Sequence, residues 1–423
     1  MSPAPDFPAH ALKVLNRCDA LAHFTEDPPR IQRTFLSAPM RACYNEVEAW
    51  MQTAGMNTHL DAIGNLRGLY PAGTANAPKL LLGSHLDTVP NAGRYDGILG
   101  VVLALSLIEL LDKQRLSFAI ELLAFSEEEG IRFATPFIGS RAVVGTLDEA
   151  TLNRRDTNNI SIREAVSKFG LDPSQIPDAA IQPSDNALAY LEFHIEQGPV
   201  LEHLNLPLAI VDAIVGQSRF ELHFTGAANH AGTTPMNLRR DALVVAAEFA
   251  VAVEKHAIAT PGVVATVGIL EPKPGAVNVI AGECRATLDL RHPDNPQREK
   301  SAQTLHRIAN EIAVSRSVTL SIKTTLEQSA VPMDAYLMSQ LESAFAKSNL
   351  SPHRMPSGAG HDAQILAPQI PSGMVFLRSP GGISHNPAES VLVDDVEKAL
   401  ECGLTFLHQL ATSPEFLSRT RRA

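Results

Sequence analysis

Residues 79–89 read KLLLGSHLDTV, residues 97–114 read GILGVVLALSLIELLDKQ, and residues 117–126 read SFAIELLAFS. The first and third are short apolar runs that end in polar residues, the pattern of strands buried on both faces. The middle stretch is almost wholly apolar and long enough for a buried helix. Strand, helix and strand in this order predict a mostly parallel sheet. Ligands of such sheets gather beyond the carboxyl ends of the strands, where HLD (85–87) and SEEEG (126–130) fall.

Upstream, residues 33–56 repeat apolar residues at helical spacing until Gly55 supplies a stop, and a strand is expected before residue 70. A different rhythm begins near Gly216. Residues 217–227 alternate as a strand, 239–257 form an amphipathic helix, and VVATVGIL (263–270) and CRATLDLR (284–291) read as two strands. A helix over 296–314 and a strand over 318–326 complete a β-α-β-β-α-β order, the ferredoxin-like split unit. Residues 373–379 then read as a late strand and 393–411 as a closing helix, while the polar, basic tail from Ser413 is expected to fray. The predicted fold is α/β, with a mixed, mostly parallel sheet domain (1–215 and 328–423) and an inserted ferredoxin-like α+β domain (216–327). Two domains also suit a chain of 423 residues, which is too long for one ordinary core.

Composition narrows the classes of function. No apolar run reaches the ~20 residues of a spanning helix, and the start lacks a basic-then-apolar leader pattern, so neither membrane nor secretion is expected. Cys18, Cys43, Cys284 and Cys402 form no CxxC pair and read as free thiols of a reducing, cytoplasmic compartment. A net charge of −11, with no long basic run before the final RTRRA, argues against nucleic acid as a partner. A small anionic substrate stays compatible, because a local site can be basic within an acidic protein.

The 15 histidines carry more information, since several sit beside Asp, Glu and Gly in short, unusual strings. His85 alone reads more readily as a hydrogen-bonded strand-end residue than as a ligand. Asp87 follows two residues later, on the same strand face, and can hold its imidazole. Asp96 in GRYDGILG reads singly as a turn or N-cap residue, yet its flanking glycines also permit close approach to a site. Glu127, Glu128 and Glu129 repel one another and do nothing for folding, so they mark either a solvated loop or a cation site. His194 ends a strand-like run, and His385 lies in a Gly- and Pro-flanked loop. Together these residues offer mixed N and O donors that suit zinc, manganese, cobalt or nickel, with no nearby Cys to suggest a structural zinc cluster.

The strings GNLRG, GSHLDTVPNAGRYDGILGV, EEEGIRF, FHIEQGPVLE, FTGAANHAGTTPM, RRDA, VNVI, SGAGHDA and GGISHNPAE occur in this order along nearly the whole chain. In this the sequence resembles the metal-dependent amidohydrolase branch of the aminoacylase-like metallopeptidases. That resemblance implies two divalent metal ions, manganese or zinc first and cobalt or nickel next. His85 and His194 would hold one ion, Glu129 and His385 the other, and Asp96 would bridge them, with a cis peptide before Gly97. Glu128 would be the general base, anchored on the family string in which two Glu precede the Gly of G-x-R-F, although the triple Glu leaves that register open by one. Asp87 would orient His85. The resemblance further implies His230 as the oxyanion donor, reaching across from the partner subunit of a homodimer. Asn278 and Arg291 would clamp a substrate carboxylate, Gln197 would contact the ureido group, and the backbone at Gly360 would meet substrate. His361 reads as loop-building, and the inserted domain as a lid and dimerisation element. The bland alternatives are an Asn-His turn for His230 and a surface salt bridge for Arg291.

Within that branch NAGRYDGILGV, GNLRG and SHNPAE are closest to allantoate amidohydrolases, which hydrolyse a ureido group of a small acid and release ammonia and carbon dioxide. N-carbamoyl-L-amino-acid hydrolases are the alternative, and ureidoglycolate amidohydrolases the third. A metal-binding scaffold without turnover is the reading from another class. Glu128 argues against it, because a pure binding site has no use for a free base.

Overall fold

A computed structural model describes residues 5–419. The chain divides into two compact units, Met1–Asp212 with Met333–Ala423, and Ala213–Pro332. In the larger sheet the strands lie in the order Asn57–Leu60, Leu66–Tyr70, Ala119–Phe125, Lys79–His85, Ala187–Ile195, Ser372–Leu377 and Leu208–Ile214. The central four, from Ala119–Phe125 to Ser372–Leu377, run parallel. The flanking strands run antiparallel to them, which the apolar runs alone did not indicate.

The helix Ile98–Leu110 is buried without interruption from Ile98 to Ile108. An apolar surface on every side requires cover on every side, here from the sheet and from helices Phe7–Ala22 and Val393–Ala411. Val101 and Val102 are poor helix formers by a few tenths of a kcal/mol, but burying each side chain contributes roughly 1.5–3 kcal/mol, so packing decides. At Gly100 a Cβ would strike the carbonyl of Phe193, so the missing side chain lets this helix lie close on the sheet. Between Ser126 and Asn186 the chain folds into short helices such as Ile138–Val143 and Ile162–Lys168, which no long periodicity announced. No helix among the described residues is long and apolar enough to cross a membrane.

The tail departs from expectation. Ser413 caps a short helix, Pro414–Leu417, and Phe416 is fully buried with its ring edge-on to Phe118 at 5.4 Å. One aromatic anchor outweighs the polar composition around it, and only residues 420–423 of that tail lie outside the described residues.

The smaller unit is an antiparallel sheet in the order Thr319–Gln328, Gly216–Thr225, Glu283–His292, followed by two short strands. Helices Ala242–Ala259 and Asn295–Ser315 cover one face, packing on Phe220, Leu222, Phe224 and Leu288. The stretch read as one strand over 263–270 is broken into Val264–Thr266 and Leu270–Lys273. Its N–H at Ile269 is taken by the Thr287 hydroxyl at 3.1 Å, a side chain intruding where a ladder bond would run.

Candidate metal centre

Three central strands deliver the site residues to one edge of the larger sheet. Lys79–His85 ends on His85, Ala119–Phe125 leads into Ser126 and the three glutamates, and Ala187–Ile195 carries His194 in its last turn of pleat. Asp96 stands just before the helix Ile98–Leu110, and His385 lies in the loop after Ser372–Leu377. Gly97 has φ +71, and a Cβ there would run into the His85 ring. The expected cis bond before Gly97 is absent: among the described residues the cis bonds are Pro28–Pro29 and Lys273–Pro274. The left-handed Gly97 supplies the turn without it.

The two oxygens of Asp96 face opposite ways. Oδ1 lies 3.4 Å from His85 Nε2 and 3.3 Å from His194 Nε2. Oδ2 lies 3.2 Å from His385 Nε2, which is itself 3.4 Å from Glu129 Oε1. Together with Glu128, these groups form three overlapping sets of potential ligands, His85/Asp96/His194, Asp96/Glu129/His385 and His85/Glu128/Glu129. Two donors on one tetrahedral cation, each at ~2.1 Å, stand about 3.4 Å apart, so the spacings fit ligands of a shared ion.

Tautomers point the same way. His85 Nδ1 is 3.1 Å from the Asp87 carbonyl and His194 Nδ1 is 2.9 Å from the Ile195 carbonyl. A carbonyl only accepts, so each Nδ1 carries hydrogen and each Nε2 is left as the potential ligand. His194 Nε2 is buried with no hydrogen-bond partner, which is costly unless something electropositive sits against it. Burial opposes charge on His85 and His194, but Asp87 and Asp96 for the first, and Asp96 for the second, hold both pKa values above the usual histidine range. Asp96 is itself buried, yet the imidazoles of His194, His385 and His85 that face it keep its carboxyl well below the usual range. Asp96 and then Glu129 lift His385 to about 10. The site is thus organised to stabilise positive charge between these groups.

The glutamate run is sorted by geometry. Glu127 turns away from the cluster, accepting hydrogen bonds from Phe35 N (3.0 Å) and Arg132 N (2.8 Å). Burial, then Asp87, raises it to about 8. Glu128 Oε2 lies 4.0 Å from His85 Nε2. Burial raises the Glu128 carboxyl well above its ordinary range, His85 opposes this, and Glu129, Asp362 and Asp87 add to it. Asp87 stands beyond the strand end, and its carboxylate accepts from Glu128 N and Glu129 N, both at 3.0 Å. It therefore holds the glutamate loop as well as standing 3.5 Å from His85 Nδ1.

Gln197 donates from Nε2 to Asp96 Oδ2 at 2.7 Å, while its Oε1 is buried with no partner. His361 is buried, with Nε2 2.8 Å from Ser357 Oγ and its ring 4.4 Å from that of His194, a packing role. At neighbouring Gly360 a Cβ would come within 2.9 Å of the Phe137 ring. Three further expected residues belong to the smaller unit. His230 is exposed and its Nδ1 accepts from Gly232 N at 3.1 Å, which leaves the proton on Nε2, free to donate. The Asn278 carbonyl accepts from Ala231 N at 2.9 Å, tying its loop to that of His230. Arg291 binds Asp289 through two nitrogens at 2.8 and 3.1 Å, so a substrate carboxylate there competes with Asp289. Sequence reading passed over Ser384 and Glu389, although both stand inside GGISHNPAE, because nothing local reveals which backbone groups they reach.

Allantoate deiminase 2 of Glycine max is 37% identical over 415 residues, covering 90% of this chain and 86% of that protein. The N-carbamoyl-L-amino acid amidohydrolase of Geobacillus stearothermophilus is 38% identical over 383 residues, covering 90% and 93%. Among solved structures, an amidase of the hydantoinase/carbamoylase family from Burkholderia multivorans superposes with a TM-score of 0.89 at 30% identity, covering 96% and 98%. The model of peptidase family M20/M25/M40 matches residues 81–409. With that match over most of its length, the chain belongs to peptidase family M20/M25/M40.

Proposed function

We propose that the chain is an allantoate amidohydrolase, a dinuclear-metal enzyme that hydrolyses a ureido C–N bond of a small carboxylate and releases ammonia and carbon dioxide. The observation that carries this reading is Asp96 facing His85 and His194 with one oxygen and His385 with the other, beside a buried Glu128. His85 and His194 would hold one cation, Glu129 and His385 the second, and Asp96 both. When bound, such a pair supplies Lewis acidity, polarising the scissile carbonyl and lowering the pKa of the attacking water. Glu128 accepts the proton of that water and returns it to the leaving nitrogen. Asp87 keeps the Glu128 backbone in place, and the unpartnered Gln197 Oε1 suits a ureido N–H. The His230 Nε2–H serves the developing oxyanion, and Arg291 with Asn278 serves the carboxylate.

Relatives named for allantoate and for N-carbamoyl-L-amino acids stand at similar identity, so the carbamoylase is the second reading. Rates of ammonia release from allantoate, N-carbamoyl-L-amino acids and ureidoglycolate, ranked by kcat/KM, test the choice. Allantoate is expected first, and a carbamoyl amino acid in that place overturns the assignment. Arg291→Lys keeps the charge but loses the planar fork, so KM for the carboxylate substrate is expected to rise with kcat little changed.

A homodimer is part of the proposal. Val244, Val251 and Ile258, spaced by sevens on the helix Ala242–Ala259, are 40%, 50% and 81% exposed, an apolar stripe that suits a second copy. The four cysteines are free and buried, which supports a reducing, cytoplasmic setting. If His230 serves the partner's site, mixed His230→Ala and Glu128→Gln subunits are expected to recover up to about a quarter of wild-type activity, one intact site in half the dimers. No recovery despite subunit exchange verified by mass spectrometry would place His230 elsewhere.

A further inference from the structure

Glu389 is a carboxylate only 5% exposed, with no cationic partner among its hydrogen bonds. Its Oε1 accepts from Tyr95 N at 2.8 Å and Asp96 N at 3.1 Å, and its Oε2 accepts from Ser384 Oγ at 3.2 Å. The loop before Asp96 wraps tightly around it, since a Cβ at Gly93 would overlap its side chain. Its own N–H closes a turn on the Asn386 carbonyl at 3.0 Å, just after His385. A buried carboxylate held by three donors from two loops is worth its desolvation only if that arrangement is kept intact.

The Ser384 hydroxyl also stands 2.9 Å from Asp96 Oδ2, the oxygen that faces His385. A hydroxyl has one proton, so Ser384 divides it between the Glu389 and Asp96 carboxylates, while Gln197 Nε2 donates to Ser384 Oγ at 3.2 Å. Glu389 therefore grips Asp96 twice, through its backbone and, by way of Ser384, through its side chain. It also belongs to the loop that carries His385, so one side chain sets the spacing between the two halves of the cluster.

We infer that Glu389 is a positioning residue that aims the Asp96 carboxylate between the two cation positions and so sets affinity for the second cation, through Tyr95 N, Asp96 N and Ser384. The inference rests on the proposal that Asp96 bridges two ions. Manganese content of the wild-type protein is therefore measured first: fewer than two ions per chain overturns that proposal, independently of Glu389.

Given two ions, equilibrium binding of Mn2+ alone is compared for wild type, Glu389→Gln, Glu389→Asp and Glu389→Ala, with Tm recorded for each. In Glu389→Gln the amide oxygen still accepts from both backbone N–H groups. Its NH2 donates to Ser384 Oγ, which then directs its proton to Asp96. The second Mn2+ is expected to bind this variant nearly as tightly as wild type. Glu389→Ala is expected to weaken it roughly 10–100-fold, the usual cost of losing an outer-shell partner. Glu389→Asp keeps the charge but is too short to reach both loops, so it is expected to fall between, and it carries the test if Glu389→Ala does not fold. In both weakened variants excess Mn2+ should restore kcat with KM unchanged. A lowered Tm with wild-type Mn2+ affinity in Glu389→Ala or Glu389→Asp would make Glu389 a loop staple and overturn the inference. So would Glu389→Gln losing as much affinity as Glu389→Ala, since charge rather than acceptor geometry would then be what matters.

Discussion

Exhaustive dialysis against a chelator is expected to abolish hydrolysis, and manganese, zinc, cobalt or nickel to restore it. The chain's own groups cannot replace what is removed. On the proposed mechanism Glu128 would take a proton from water, but water at its ordinary pKa of ~15.7 yields almost no nucleophile at neutral pH. The same treatment should be visible without any substrate. Ions at a hundred times their Kd stabilise the folded state by about 2.7 kcal/mol, so the stripped protein should melt several degrees lower. Its pH dependence should also change. In the stripped protein His385, raised to about 10 by Asp96 and Glu129, binds a proton that the unfolded chain releases near ~6.5. The stability it contributes is fully present below ~6.5 and is lost as pH rises toward about 10. With manganese present the dependence reverses, because the imidazole must be neutral to bind and affinity rises with pH. Full activity in a preparation shown by elemental analysis to contain no metal would refute the dinuclear proposal.

Glu128→Gln is expected to lower kcat by roughly 10²–10⁴ while retaining both ions, since the amide is nearly isosteric but accepts no proton. Asp96→Ala is expected instead to lose metal. Glu127→Gln supplies the contrast. Glu127 spends both oxygens on Phe35 N and Arg132 N, so its amide should disturb the loop and lower Tm while catalysis by folded enzyme continues. If the metal-replete, inactive variant proves to be Glu127→Gln, the base has been assigned one residue too far along.

The larger sheet was legible because its central strands are buried on both faces, and burial of that kind writes continuous apolar runs such as 80–82 and 122–125. Short elements fixed by distant packing were not. The Thr287 hydroxyl meets the Ile269 N–H inside a stretch whose composition reads as one strand, and Phe416 pins a tail that is mostly polar. The cluster residues were visible as strings because His, Asp and Glu at strand ends are uncommon. What joins the strings was not visible: Tyr95 and Glu389 are 294 residues apart, and no periodicity records a carboxylate bonded to a backbone N–H across that gap. Asp87 was read as a partner of His85, and its carboxylate stands 3.5 Å from His85 Nδ1, but its two bonds to the backbone of Glu128 and Glu129 were not visible in the sequence.

The strand Ser372–Leu377 lies between Ala187–Ile195 and Leu208–Ile214, inside the sheet and not at its rim. During translation, therefore, the first three parallel strands emerge with a flank that stays open until Ser372–Leu377 has been made. The 293 residues separating Asp96 from Glu389 occupy a ribosome for about 15–60 s at ~5–20 residues per second. While residues 130–384 are being made, His85, Asp96, Glu128 and Glu129 exist without His385, so the second half of the cluster is incomplete. On the dinuclear proposal, the second cation position is completed only once His385 has been made, whereas His85, Asp96 and His194 of the first can meet earlier.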